Sequence, residues 1–176
     1  VRAPLATAGF ASLIALVAAL TFSVMFGQSG EADPTAPNRD PTLSFSDSLL
    51  AFAVQLEGTP YQPGGCTAKA GFDCSGLVHY SFREFGVEIG RSSAHQAEAG
   101  WSVDRQQARP GDVLVFARSR KGRIFHAGLV LSNDRDSLVM LHANERHGVH
   151  RTNVTASKYW SEKVADVRRV RRVMRP

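Results

Sequence analysis

The run Gly71-Phe72-Asp73-Cys74-Ser75-Gly76-Leu77-Val78 constrains this chain more than any other segment. Leu77, Val78, Phe82 and Phe85 follow at helical spacing, and Gly86 is a natural stop. Asp73 is a good N-cap, which puts Cys74 in the first helical turn. There the unpaired N–H groups and the helix dipole favour an anionic sulfur. The pattern therefore predicts a thiol of lowered pKa, nucleophilic at neutral pH. A cysteine that merely packs fits the same local pattern equally well. The rest of the chain decides between them.

A nucleophilic thiol needs a base, and the base needs an orienting group. Arg109-Pro110-Gly111-Asp112 is a turn leading into an apolar strand, Val113 to Phe116. His126-Ala127-Gly128-Leu129-Val130-Leu131 opens a second strand with a histidine at its start. Leu138-Val139-Met140-Leu141-His142-Ala143-Asn144 is a third, with a histidine near its end. A polar turn, Ser132 to Ser137, joins the last two, so they read as antiparallel neighbours. That arrangement brings His126 beside His142 and predicts a Cys-His-His group. Asn144 rivals His142 as the orienting residue, because period-two spacing puts both on one strand face.

These pieces, in this order, resemble the NlpC/P60 family of cell-wall cysteine peptidases. The resemblance rests on Gly58-Thr59-Pro60-Tyr61 with Gly64-Gly65, on Phe72 to Val78, and on Arg91-Ser92-Ser93 with Gln96. It continues through Arg109 to Asp112, His126-Ala127-Gly128, His142-Ala143 and Tyr159-Trp160, from about Ser46 to the C-terminus. It implies an α+β, papain-like fold with the nucleophile helix packed on a mainly antiparallel sheet. It also implies Cys74 as nucleophile, His126 as general base and His142 as its orienter. Tyr61, Asp73, Ser75, Arg91 and Ser93 become candidates for the substrate cleft, although Asp73 equally serves as a cap and Tyr61 as core. The implied reaction is hydrolysis of amide bonds in peptidoglycan stem peptides, chiefly between D-γ-glutamyl and meso-diaminopimelyl residues. No cofactor or metal is implied, and a monomer is expected. The same site on another acyl donor would make an N-acetylmuramoyl-L-alanine amidase or a transferase. A silent wall-binding protein is disfavoured, because the chain keeps both Cys74 and His126.

The chain is basic, with 21 Lys plus Arg against 16 Asp plus Glu, and much of the excess lies in Arg168, Arg169, Arg171, Arg172 and Arg175. Val167, Val170 and Val173 interrupt that run, so it reads as a terminal strand plus tail. Its bland reading is a solvated face; its functional one is attraction to anionic wall polymer or lipid phosphate. No nucleic-acid motif accompanies it. At the other end, Phe10 to Phe26 is uncharged and apolar, and a segment with Pro34, Pro37 and Pro41 follows. Residues 1–26 are thus expected to be a signal peptide or N-terminal membrane anchor, 27–42 a flexible linker and 43–176 the catalytic domain. Both N-terminal readings export the protein to the cell envelope, periplasmic or extracellular.

Within the domain, Ser46 to Leu56 is expected to be a helix with Phe45 stapled against Leu50. Tyr61 to Phe72 reads as a Gly-rich loop, Ser92 to Ala99 as a short helix, and Ala156 to Ser161 as a helical turn. Strands are expected near 112–117, 126–131, 138–143, 148–151 and 165–172. Cys66 is read as an incidental loop cysteine, with a disulfide to Cys74 as the alternative in an oxidising envelope. His79, His95, His147 and His150 are expected to face solvent or pack locally. A Cys-His-His zinc site is disfavoured, since close ligand pairs are lacking.

Overall fold

The computed structural model describes residues 44–119 and 122–172. The segments read as signal or anchor (1–26) and linker (27–42), and the tail arginine Arg175, lie outside the described residues. Among the described residues no helix is long and apolar enough to cross a membrane.

Ser44 caps helix α1 (Phe45–Val54), its side chain accepting the Asp47 N–H at 3.2 Å. The cap lies two residues ahead of the expected start, which corrects the staple. Phe45 is the first helical residue, and its ring lies 6.0 Å from Phe82 and 6.2 Å from Phe85, centroid to centroid. Leu49, Phe52 and Ala53 turn inward from α1, as the spacing predicts. The segment expected to be a plain loop contains a small antiparallel hairpin, β1 (Cys66–Thr67) with β2 (Gly71–Phe72). Gly71 has φ 101°, and a Cβ there would crowd the Pro60 carbonyl, so this tight approach requires glycine.

Helix α2 (Cys74–Arg83) follows, then the short α3 (Ser93–Gln96). The remaining strands are β3 (Trp101–Val103), β4 (Val113–Ala117), β5 (Ile124–Asp134), β6 (Ser137–Asn144), β7 (Gly148–Asn153) and β8 (Val164–Arg169). One helical turn, α4 (Lys158–Ser161), precedes β8. They form an antiparallel sheet in the order β3-β8-β4-β5-β6-β7. Strand β3 was not legible: Trp101 and Ser102 are exposed, so no apolar alternation marks it. The architecture is α+β, with helices packed on a mostly antiparallel sheet.

Apolar side chains divide between two clusters. Leu77, Val78 and Phe82 of α2 pack with Val113, Val115, Ala127, Leu129, Leu141 and Ala143. Leu114, Phe116, Val130, Leu138 and Met140 pack in a second cluster with Val154 and Val167, joined by Trp160. Two arginines of the run, Arg168 and Arg169, are tied inward, whereas Arg171 and Arg172 are exposed. Arg169 forks onto Asp112 at 2.8 and 2.9 Å, and Arg168 bonds Asp166 and the carbonyls of Ala99 and Gly100. Strand β8 ends at Arg169, and Arg171 lies over the Trp101 ring.

Candidate active site

Four side chains and one turn of backbone fix the start of α2. Asp73 Oδ1 accepts the Gly76 N–H at 2.6 Å and the Ser75 hydroxyl at 3.1 Å. Arg91 grips both Asp73 oxygens, at 3.0 and 2.8 Å, and donates to Ser75 Oγ and the Gly65 carbonyl. Gln96, fully buried, donates Nε2 to the Ser75 carbonyl at 2.8 Å. Gly76 packs so closely that a Cβ there would collide with the Gly65 carbonyl oxygen. Asp73, Ser75 and Arg91, three of the expected cleft residues, therefore satisfy one another and hold the helix start. Burial alone would raise the Asp73 pKa, but Arg91 and the Gly76 N–H outweigh it and keep the carboxyl below its usual 3.8.

Cys74 is thus held at the first turn of α2, as expected, but its charge state differs from expectation. Burial, aided by the Asp73 carboxylate, pushes the thiol above its usual 9.0. Backbone N–H groups of Ala127, Ser75 and Cys74 pull the other way without reversing the shift. Desolvation of the sulfur here outweighs the helix dipole. The Ala127 N–H also locates the sulfur: it lies against β5, one residue from His126. The β5–β6 ladder runs from Asp134↔Ser137 to Leu129↔Leu141, stopping short of that point.

His126 and His142 are brought together as expected, Nε2 to Nδ1 at 2.8 Å. Both are buried, and Gly128 makes room for the pair: a Cβ there would sit 3.1 Å from His142 Cβ. Burial lowers His126 to about 4, with His150 adding to the effect, and lowers His142 to about 2, with His126 next in weight. Both rings are therefore neutral at neutral pH. Since Nε2 of His126 faces His142, Nδ1 is its other ring nitrogen. A neutral thiol beside a neutral imidazole has a testable signature. In a Cys66→Ser background, alkylation of Cys74 by iodoacetamide is expected to accelerate with pH up to and beyond 9.0. A rate already level at pH about 6 would mean a standing thiolate–imidazolium pair.

Tyr61 also reaches the site: Cys74 and Asp73, after burial, are what raise its phenol pKa. Ser93 stands at the head of α3, capped by Ser92. Asn144, the rival orienter, turns to His150 and its own loop instead of to His126. Cys66 is free, like Cys74, and lies in β1 beside Arg91. His95 is exposed as expected, whereas His79 has a buried Nδ1 with no partner. His150 does more than pack locally, its ring lying 4.3 Å from that of His142. Trp160 covers the histidine pair, 4.6 Å from His126 and 5.1 Å from His142. Its place in the late Tyr159-Trp160 motif was the only sequence signal for this. Among the described residues no group of three His, Cys, Asp or Glu side chains is arranged to hold a metal ion.

Residues 58–169 match the NlpC/P60 family, and the chain belongs to it. It is similar to the murein DD-endopeptidase MepS/murein LD-carboxypeptidase of Escherichia coli (strain K12), 38% identical over 115 residues, which cover 65% of this chain and 57% of that protein. It is also similar to the bifunctional muramidase/DL-endopeptidase CwlT of Bacillus subtilis (strain 168), 30% identical over 131 residues, 74% of this chain but 38% of that protein. The chain thus spans less than two thirds of either relative. The crystal structure of an NlpC/P60 family protein from Bacillus cereus ATCC 10987 superposes with a TM-score of 0.63 at 28% identity, covering 72% of this chain and 40% of that one.

Proposed function

We propose that this protein is a cysteine peptidase of the bacterial envelope that hydrolyses the D-γ-glutamyl–meso-diaminopimelate bond of peptidoglycan stem peptides. The observation that carries the reading is the thiol at a rigidly capped helix start, against β5 one residue from a His126–His142 pair. The relatives' names, one a murein DD-endopeptidase and LD-carboxypeptidase and the other a muramidase and DL-endopeptidase, support the substrate class, and the second name supports the bond. All the groups required come from one chain, so a monomer suffices, and a wall substrate requires export.

In the proposed reaction His126 Nδ1 takes the thiol proton as Cys74 sulfur attacks the scissile carbonyl. The oxyanion forms beside the Cys74 N–H, a donor fixed by the helix start; losing one such donor typically costs about 3 kcal/mol of transition-state stabilisation. The imidazolium then protonates the leaving amine, the C–N bond breaks and a thioester remains. Water, deprotonated by His126, releases the acid and regenerates the thiol. His142 orients the ring throughout without introducing a buried charge. Tyr61 and Ser93 flank the approach, while Asp73, Ser75 and Arg91 position the nucleophile.

Purified muropeptides carrying meso-diaminopimelate give the direct test. The expected products are a disaccharide ending in L-alanyl-D-glutamate and a fragment with a new diaminopimelyl amino terminus, identified by mass spectrometry. Cleavage at the cross-link between stem peptides, or at the bond to N-acetylmuramic acid, would overturn the bond assignment.

A further inference from the structure

The contacts of the histidine pair do not end at His142. Its Nε2 lies 2.9 Å from Thr152 Oγ1, which lies 3.2 Å from His150 Nε2, and His150 Nδ1 lies 3.0 Å from the Gly148 carbonyl oxygen. The register of β6 and β7 makes this possible: His142 pairs with His150 and Met140 with Thr152, so 142, 150 and 152 share a face.

Every link in this chain has one allowed direction. A carbonyl only accepts, and a neutral imidazole donates from one nitrogen and accepts at the other. The Gly148 carbonyl therefore puts the hydrogen of His150 on Nδ1 and leaves Nε2 an acceptor. Asn144 requires the same tautomer by a separate route. Its Oδ1 accepts the N–H groups of Arg146 (3.1 Å) and His147 (2.9 Å), which sets the amide so that Nδ2 faces His150 Nε2 at 3.4 Å. Two donors share that one lone pair, and Thr152 Oγ1, at 3.2 Å, lies closer than Asn144 Nδ2, at 3.4 Å, so the single hydroxyl hydrogen of Thr152 points to it. Thr152 Oγ1 must then accept from His142 Nε2–H. His142 Nδ1 is left as a lone pair, so His126 donates from Nε2 across the 2.8 Å contact. His126 Nδ1, on the far side of the ring, carries no hydrogen.

We infer that Thr152 and His150 are positioning residues: a one-way hydrogen-bond chain, His126 to His142 to Thr152 to His150, anchored on the Gly148 carbonyl, holds His126 in the tautomer that can accept a proton from Cys74. The kinetic meaning rests on the cysteine-peptidase reading, whereas the tautomers belong to the folded chain itself. Without the acceptor at His150, the Thr152 hydroxyl is free to turn and donate to His142. That reverses every link and puts a hydrogen on the wrong nitrogen of His126. In a serine-protease triad, a histidine held in the wrong tautomer costs about 10⁴-fold in kcat.

Long-range proton–nitrogen correlation spectra of the uniformly ¹⁵N-labelled chain at pH about 8, well above the ordinary histidine pKa, read the tautomers directly. The expected result is Nε2–H for His126 and His142 and Nδ1–H for His150; Nε2–H on His150 or Nδ1–H on His126 overturns the chain. The second arm is kinetic. Thr152→Val, nearly isosteric, is expected to lower kcat by on the order of 10- to 100-fold with KM unchanged, and Thr152→Ser, which keeps the hydroxyl, to recover most of it. Full kcat in Thr152→Val would equally overturn the inference. If the wild-type chain cleaves no muropeptide, the function falls while the spectra still decide the chain of tautomers.

Discussion

Cys74→Ala is expected to lower hydrolysis of a muropeptide by on the order of 10⁴-fold or more, with the fold and its stability nearly unchanged. The two halves of this expectation have separate causes. The activity goes because His126 and the helix-start N–H groups have no other nucleophile to serve. The fold stays because the groups that fix the start of α2 do not involve the sulfur. Asp73 caps Gly76, Arg91 grips Asp73 and Gln96 holds the Ser75 carbonyl. Alanine is also the best helix former, so the first turn loses nothing in propensity. Circular dichroism and urea unfolding would establish the second half, and single-turnover digestion the first. Activity within tenfold of wild type in a folded Cys74→Ala protein would remove the sulfur from the chemistry and, with it, the peptidase reading.

What could be read from the chain divides along the range of the forces involved. The cap at Asp73 and the strands bearing His126 and His142 are local patterns, and they stand where the spacing puts them. The pairing of those histidines follows from one short antiparallel turn. Strand β3 and the Cys66–Phe72 hairpin carry no alternation of their own and exist because β8 and the Tyr61 region give them partners. The roles of Thr152 and His150 depend on the β6–β7 register, which a run of polar residues does not specify. The thiol's charge state was misread for a further reason. A capped helix start is visible in sequence, but the burial that opposes ionisation exists only once the chain has folded around the helix start. The arginines of β8 were misread in the same way, since Asp112 lies far from Arg169 in the chain and beside it in the fold.

The buried histidine pair should also make the protein acid-sensitive well above the range in which carboxylates titrate. In the unfolded chain both rings titrate near 6.5; in the fold burial lowers His126 to about 4 and His142 to about 2. Between those values the unfolded chain binds protons that the folded chain refuses. Stability is therefore complete above pH about 6.5 and falls as the pH drops towards 4. Each ring contributes up to about 1.4 kcal/mol per pH unit once the pH is well below 6.5. By pH about 4 the two rings together withdraw about 6 kcal/mol, which would unfold only a domain near the lower end of the typical total of about 5–15 kcal/mol. Asp73 cannot account for a loss in this window: its folded value lies below 3.8, so its contribution holds until the pH falls past that point. Urea unfolding from pH about 7.5 down to about 4.5 would measure the slope, and His142→Gln, which removes one titrating ring, should roughly halve it. A free energy of unfolding that stays flat from pH about 6.5 to 5 would mean that the rings accept protons inside the fold. Water would then have to reach them past Trp160, and the neutral hydrogen-bond chain beneath that ring could not persist in acid.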